Sequence, residues 1–298
     1  MTNSIQRSGS NKQWLENKAV MGMFALLKLL PYRHRNWLMG ATLGSFLGNI
    51  IGYRKRIMDN LNLVYPEMMQ ERKIKIADKV LHNAGRTFIE NMYPAEFQAQ
   101  NSNIELWGSG VDELFKANED GRPIMFYSGH FGNHEAFRAA LFQRGIRIGG
   151  MVRRMANPYF DLNYKNMLDI NGRSGPVFEA TTKGTLGFFK ALNKGAALVL
   201  LIDLAVSEGE LISFMGKPVR TSLTAAKFAI KADALFLPYF SMRNPDSESF
   251  RVEIGAPIEH SDPVTMIQKA TVSLEQRINA DPGNWFWIHR RWKHLSTK

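Results

Sequence analysis

Between residues 123 and 242, short apolar runs alternate with amphipathic stretches, and this alternation limits the fold more than any other feature of the chain. The runs fall at 124–127, 146–152, 176–178, 197–202 and 235–242. The stretches between them, near 133–143, 158–170, 182–193 and 221–231, carry apolar residues at helical spacing. Strands apolar on both faces must be covered on both faces, and helices between successive strands supply that cover. The pattern predicts an α/β fold: a mostly parallel central sheet flanked by helices. Further strands are expected at 104–106 and 250–254, and further helices at 111–118, 264–280 and 285–292.

Ligands of such sheets bind beyond the carboxyl ends of the strands. The segment SGHFGNHE, residues 128–135, lies at such an end. His130 is expected on the loop and Glu135 in the first helical turn, because five residues on one helix would turn the two side chains well apart. Gly129 and Gly132 give the loop room to bend. A carboxylate on one imidazole nitrogen fixes the tautomer and strengthens the other nitrogen as a base. A His130–Glu135 pair could therefore take a proton from a substrate hydroxyl. The same residues also allow a hydrogen-bonded turn without chemistry. The i, i+4 spacing of His130 and His134 allows a metal, but HExxH, cysteine and an obvious third ligand are all absent. No metal or cofactor is expected.

Basic residues recur in this region. Arg153 and Arg154 end a strand, and Lys217 and Arg220 lie in a stretch read as a loop entering a helix. Arginines and helix N-termini at a sheet edge suit phosphate groups.

The charge distribution points to a surface partner. Residues 1–58 hold nine Lys/Arg against one acid (+8), and residues 283–298 hold four against none (+4), which leaves −1 of the total +11 for the remainder. Apolar stretches at 19–31 and 37–53 accompany the first cluster, and Gly40, Gly44, Gly48 and Gly52 form a small-residue face that lets another helix approach closely. Residues 1–13 are polar and expected to be a disordered tail. Basic clusters beside apolar runs favour an anionic membrane surface, and a nucleic-acid partner is not expected. The chain therefore divides into an N-terminal tail and membrane-associated helical hairpin, 1–58, and an α/β domain, 59–298, with 56–95 helical and punctuated at Asn60-Leu61 and Pro66. The 298 residues include no cysteine, which fits a cytoplasm-facing protein, and no cleavable signal pattern is visible. GxSxG, GxxxxGK[ST] and a strand-borne GxGxxG are absent. What remains is a His–Glu pair without a nucleophile beside it, which suits direct attack of an acceptor hydroxyl on an activated acyl group.

The H-x-x-x-x-E spacing resembles the H-x-x-x-x-D/E motif of glycerolipid acyltransferases. RKRIMDNLNLVYP at 54–66, VRRMANPYFD at 152–161, LLIDLA at 200–205, FMGKPVRTS at 214–222 and NWFWIHRRWK at 284–293 narrow the resemblance. In this order they resemble the lipid A biosynthesis lauroyl/myristoyl acyltransferase family over roughly residues 15–293. The resemblance implies a glycerolipid-acyltransferase-like fold and an enzyme at the cytoplasmic face of the inner membrane. Such an enzyme moves an acyl chain from acyl carrier protein to a hydroxyl of a lipid A precursor. It implies His130 as base and Glu135 as its orienting partner. Arg153 matches a family arginine, and Asp203 matches the acid of an Asp-Gln pair. Leu204 stands where Gln is usual and Arg154 where Pro is common. Arg153, Arg154, Asp203, Lys217 and Arg220 are the residues expected to bind substrate. Acylation of another membrane lipid (a glycerophospholipid, aminolipid or glycolipid) and a non-catalytic lipid-binding protein on the same fold remain open at this point.

Overall fold

The computed structural model describes residues 9–168, 174–244 and 248–295. In chain order the elements are α1 (Asn11–Leu27), α2 (Tyr32–Thr42), a π-helical turn (Leu43–Leu47), α3 (Gly48–Ile50), α4 (Tyr53–Val64), α5 (Gln70–Met92) and α6 (Pro94–Gln100). The α/β part follows: β1 (Glu105–Trp107), α7 (Val111–Glu119), β2 (Ile124–Ser128), α8 (His134–Phe142), β3 (Ile148–Val152), α9 (Pro158–Leu168), β4 (Val177–Glu179), α10 (Thr182–Leu192) and β5 (Ala197–Leu201). The chain continues with β6 (Glu210–Phe214), β7 (Lys217–Thr221), α11 (Thr224–Lys231), β8 (Leu235–Arg243), β9 (Phe250–Ile254), α12 (Pro263–Ala280) and a 3₁₀ turn (Pro282–Asn284).

Seven strands form one sheet in the order β1-β9-β8-β2-β5-β3-β4. Every pairing is parallel except β8 with β9. The expected α/β architecture is therefore present. One face of the sheet packs under α7 and α8 through Leu114, Phe137 and Leu141. The other packs under α10, α11 and α12 through Phe188, Ala226 and Met266. The chain steps from β2 outward to β3 and β4, then returns to place β5 directly beside β2. This pairing sets Ser128 opposite Leu201. The loops after β2 and β5 thus leave the sheet side by side.

The N-terminal region departs from expectation in three ways. First, α1 begins at Asn11, within the stretch expected to be a disordered tail. Ser10 and Gln13 close a capping box there; residues 1–8 lie outside the described residues. Second, 37–53 is not one apolar helix. It passes from α2 through the π turn to α3 and breaks at Gly52, whose φ is +74°. A π turn leaves carbonyls without their helical donors, and Arg54 takes that of Gly44 at 2.8 Å. No helix among the described residues is long and apolar enough to cross a membrane. Third, α4 runs unbroken through Asn60-Leu61. The glycine face does admit a close helix, and that helix is this chain's own α5: Gly40 and Gly44 abut His82, and Gly48 abuts Leu81.

Two further expectations are corrected. Lys217 and Arg220 lie on the antiparallel hairpin β6–β7, not in a loop entering a helix. Met215 and Gly216 both take positive φ, which closes a two-residue turn of the primed kind. Residues 285–292 form turns instead of a helix. Three tryptophans in eight residues gain more from packing into the body than from helical hydrogen bonds. Trp285, Trp287 and Trp292 are each at most 1% exposed, and they pack with Phe214, Phe131 and Leu61. The helix expected at 158–170 is α9; its last two residues lie outside the described ones.

Candidate active site

The site grows from the end of β2. The Ser128 hydroxyl donates to the Tyr239 carbonyl of β8 at 2.7 Å, and Ile202 N–H donates to the Ser128 carbonyl at 2.9 Å. The strand end is thereby fixed to both neighbours. The chain then turns through Gly129 to Gly132. Gly132 takes φ +63°, and a Cβ on it would overlap the Ser241 carbonyl oxygen, so only glycine fits. Asn133 caps α8 by accepting from Glu135 N–H at 2.9 Å.

His130 is therefore on the loop and Glu135 in the first turn of α8, as the spacing predicts. Their side chains nevertheless part. Glu135 accepts from Arg138 one turn further along α8, at 3.2 Å. The carboxylate on His130 is that of Asp203, just beyond β5. One Asp203 oxygen faces His130 Nδ1 at 2.9 Å. The other accepts from His130 backbone N–H at 2.7 Å and from Trp285 Nε1–H at 2.9 Å. Asp203 has 0% side-chain exposure, whereas His130 keeps 27%. A buried carboxylate with three donors is fixed in place. It holds Nδ1 and leaves Nε2 of a solvent-reached imidazole as the nitrogen that can take a proton.

The C-terminal segment closes around this pair. Gly132 N–H donates to the Asn284 carbonyl at 2.8 Å, and Phe286 N–H donates to that of His130 at 2.9 Å. The His289 ring stands edge-on to His130, with centroids 4.3 Å apart. Buried Arg291 donates to the carbonyls of Leu204 (2.6 Å) and Arg220 (2.9 Å) and to Thr221 Oγ1 (2.6 Å), so it fixes the loop that carries Asp203. On α4, Asn60 Nδ2 donates to the carbonyls of Trp287 and His289 at 2.7 and 2.9 Å.

The other expected residues divide. Arg153, just past β3, is exposed. Its charge reaches His289 and helps to lower that imidazole's pKa. Arg154 is tied to Glu179 at 2.6 Å, and Lys165 binds the same carboxylate at 2.7 Å. These two bonds hold the Glu179 carboxyl down at about 2. Arg220 donates to the Gly209 carbonyl at 3.0 Å. Arg220 meets the site only through its backbone carbonyl on Arg291, and neither its side chain nor that of Lys217 is hydrogen-bonded or ion-paired to His130, Asp203 or His289. Trp285, His289 and Arg291 went unassigned in the sequence, although the aromatic and basic density of 284–293 marks that segment.

Ligand atoms of His130, Asp203 and His289 lie within 4.8 Å of one another. A cation there would have to displace donors already on Asp203, so the donor set suits a hydrogen-bonded catalytic pair better than a metal.

Burial sets the charge of the neighbouring histidines. It pushes the His134 imidazole down to about 3 and that of His289 to about 4; nearness to His130 adds to both shifts, and Asp203 opposes them. Burial opposes ionisation of Asp203, but the charge and hydrogen bonds of His130, together with His289, outweigh it, and the carboxyl is held below the usual carboxylate range. Below about pH 6.5 the unfolded chain takes up protons that folded His134 and His289 refuse. Stability should therefore fall as pH drops from about 6.5 toward about 4, each histidine contributing up to about 1.4 kcal/mol per pH unit within its window. Denaturant titrations across that range should show the slope, and His134→Gln should flatten it. An unchanged slope in that variant would mean that His134 charges freely in the folded protein.

A family model described as bacterial lipid A biosynthesis acyltransferase matches residues 6–294. A lipid A biosynthesis acyltransferase of Haemophilus influenzae is 25% identical over 78% of this chain and 75% of its own length. The lipid A biosynthesis lauroyltransferase of Escherichia coli K12 is 24% identical over 92% of this chain and 90% of its own. The myristoyltransferase of the same strain is 19% identical over 92% and 84%.

Proposed function

The chain belongs to the bacterial lipid A biosynthesis acyltransferase family, and within it we propose an enzyme that moves a fatty acyl chain from acyl carrier protein to a hydroxyl of a lipid A precursor. The observation that carries this reading is His130: Nδ1 is held by buried Asp203, and the ring is reached by solvent at the carboxyl edge of the sheet. His130 Nε2 takes the proton of the acceptor hydroxyl as its oxygen attacks the thioester carbonyl. Asp203 stabilises the imidazolium that forms. When the tetrahedral intermediate collapses, the C–S bond breaks and the leaving thiolate receives that proton. Among the described residues no serine or threonine is hydrogen-bonded to the His130 ring, so the acyl group passes directly from sulfur to oxygen.

Arg153 is exposed beyond the end of β3. It binds an anionic group of donor or acceptor, a task for which a planar guanidinium is suited. Glu135, expected from the sequence to orient His130, acts one step further out by holding Arg138 on α8. The acceptor stays in a bilayer, and the enzyme works at the cytoplasmic face of the inner membrane. Supporting this, twelve of the twenty-two exposed large apolar residues among the described residues fall between Trp14 and Ile51, in the region that carries +8.

The test is mass spectrometry of membrane lipids from cells with and without the protein, followed by transfer from acyl-loaded carrier protein in vitro. Lipid A lacking one acyl chain in the deletion strain is the expected result. Intact lipid A with an altered glycerophospholipid, aminolipid or glycolipid would overturn the acceptor. An unaltered lipid profile, with no transfer in vitro, would overturn the enzyme.

A further inference from the structure

Glu90 on α5 is 1% exposed and lies outside the site described so far. Its carboxylate accepts from both terminal nitrogens of Arg243, at 2.7 and 2.8 Å, and the Arg243 side chain is 5% exposed. It also accepts from Asn133 Nδ2 at 2.6 Å and from Asn36 Nδ2 of α2 at 3.1 Å. A buried ion pair is weak evidence for stability, because well-packed apolar residues of similar volume often do as well. What sets this pair apart is its third partner. Asn133 is fully buried and sits between His130 and the first turn of α8. Its Oδ1 must face Glu135 N–H to cap the helix. Glu90 holds Nδ2 and so decides which way the amide points; a flipped amide would set NH₂ against N–H.

Besides the Phe286 N–H on the His130 carbonyl, three further bonds hold the loop that presents His130. Asp203 takes the N–H of His130, the Asn284 carbonyl takes the N–H of Gly132, and Glu90 takes the side chain of Asn133. The second and third bonds both lead back to α5, because Asn83 of that helix donates to the Gly283 carbonyl at 3.0 Å. We propose that Glu90 is a positioning residue for the acyl transfer, acting through Asn133 to fix the 129–133 loop and with it the placement of His130. The inference rests on the reading of His130 as the base. The Asn36 bond adds α2, beside exposed Trp37, to the same carboxylate.

Asn133→Ser separates the two roles of Asn133. Serine caps a helix about as well as asparagine but cannot donate to Glu90 from that position. Expected is a kcat lower by about 10- to 100-fold, the scale of a small misplacement of reacting groups, with KM and thermal midpoint close to wild type. Glu90→Leu, which removes the acceptor of the same bond, should lower the kcat of the folded protein similarly, and the double variant should be little worse than the poorer single, since both cut one bond. Imidazole ¹⁵N spectra of the full chain give a readout that needs no substrate: the His130 signals should move in Asn133→Ser. Wild-type kcat in Asn133→Ser, unmoved His130 signals, or an activity loss that follows the unfolded fraction would each overturn the proposal. If the wild-type protein acylates no lipid, the functional reading falls, and the spectra alone decide the positioning role.

Discussion

Asp203→Asn should lower kcat by about 10³- to 10⁴-fold in a protein that still folds, the loss expected when a catalytic imidazole is held in the wrong tautomer. The reason lies in the three donors on Asp203. One of its oxygens already accepts from His130 N–H and Trp285 Nε1–H. The single oxygen of an asparagine must occupy that position to keep both bonds. Its NH₂ then faces His130 Nδ1, which has to become the acceptor. The ring proton moves to Nε2, the nitrogen that must take the hydroxyl proton. His130→Ala should cost about 10²- to 10⁴-fold, the usual worth of a general base. The double variant should be little worse than either single, because the pair acts as one unit. Glu135→Gln provides the contrast. It weakens the tie to Arg138 and leaves Asp203 on His130, so about tenfold or less is expected. Steady-state kinetics of the three single variants give the ranking. A larger loss in Glu135→Gln than in Asp203→Asn would return the orienting role to Glu135.

The two carboxylates also mark how far the sequence could be read. His130 was legible because an apolar strand, two glycines and a helical pattern flank it. Its partner was not. Glu135 is near in sequence, but the first turn of α8 carries its side chain toward Arg138. Asp203 is 73 residues away, and only the pairing of β2 with β5 brings it close. The alternation of runs predicts a parallel sheet without saying which strands are neighbours. Resemblance marked Asp203 as a substrate-binding residue, and its contact with His130 Nδ1 is what brings it into the proposed catalytic pair.

Elsewhere, local pattern competed with packing. The Met215-Gly216 turn needs two positive φ angles, and methionine does not advertise one. The stretch therefore reads as a loop entering a helix, and Lys217 and Arg220 lie instead on the hairpin β6–β7. The segment 285–292 has helical length, yet its tryptophans are buried from several sides at once. A one-sided helical stripe could not bury them so. At 37–53, glycine spacing correctly foretold a close helix. The sequence alone could not tell whether that helix belonged to this chain, and α5 fills the place.

Because α5 covers the glycine face, the proposed attachment to a bilayer rests on the exposed residues of α2, the π turn and α3. Trp37, Phe46 and Ile50 are 60, 64 and 65% exposed, so changing them disturbs little of the core. Replacing all three with Glu should release the protein from vesicles that contain anionic lipid and leave the fold intact. Each apolar side chain transferred from water into lipid contributes about 1–2 kcal/mol. Losing three should weaken partitioning by about 10²- to 10⁴-fold, at about 1.4 kcal/mol per tenfold. The basic cluster contributes about 1 kcal/mol per residue near an anionic surface, but salt screens that attraction. The two contributions separate in a wash of about 1 M salt, where the Debye length is about 3 Å. Unaltered protein should stay with the vesicles in that wash and need detergent for release; the triple variant should leave with salt alone. Deleting residues 1–58 is the poorer test, because it strips α2 from α5 and bares a packing face. Release of the unaltered protein by salt would make attachment purely electrostatic and leave the exposed apolar residues of α2, the π turn and α3 without a membrane role.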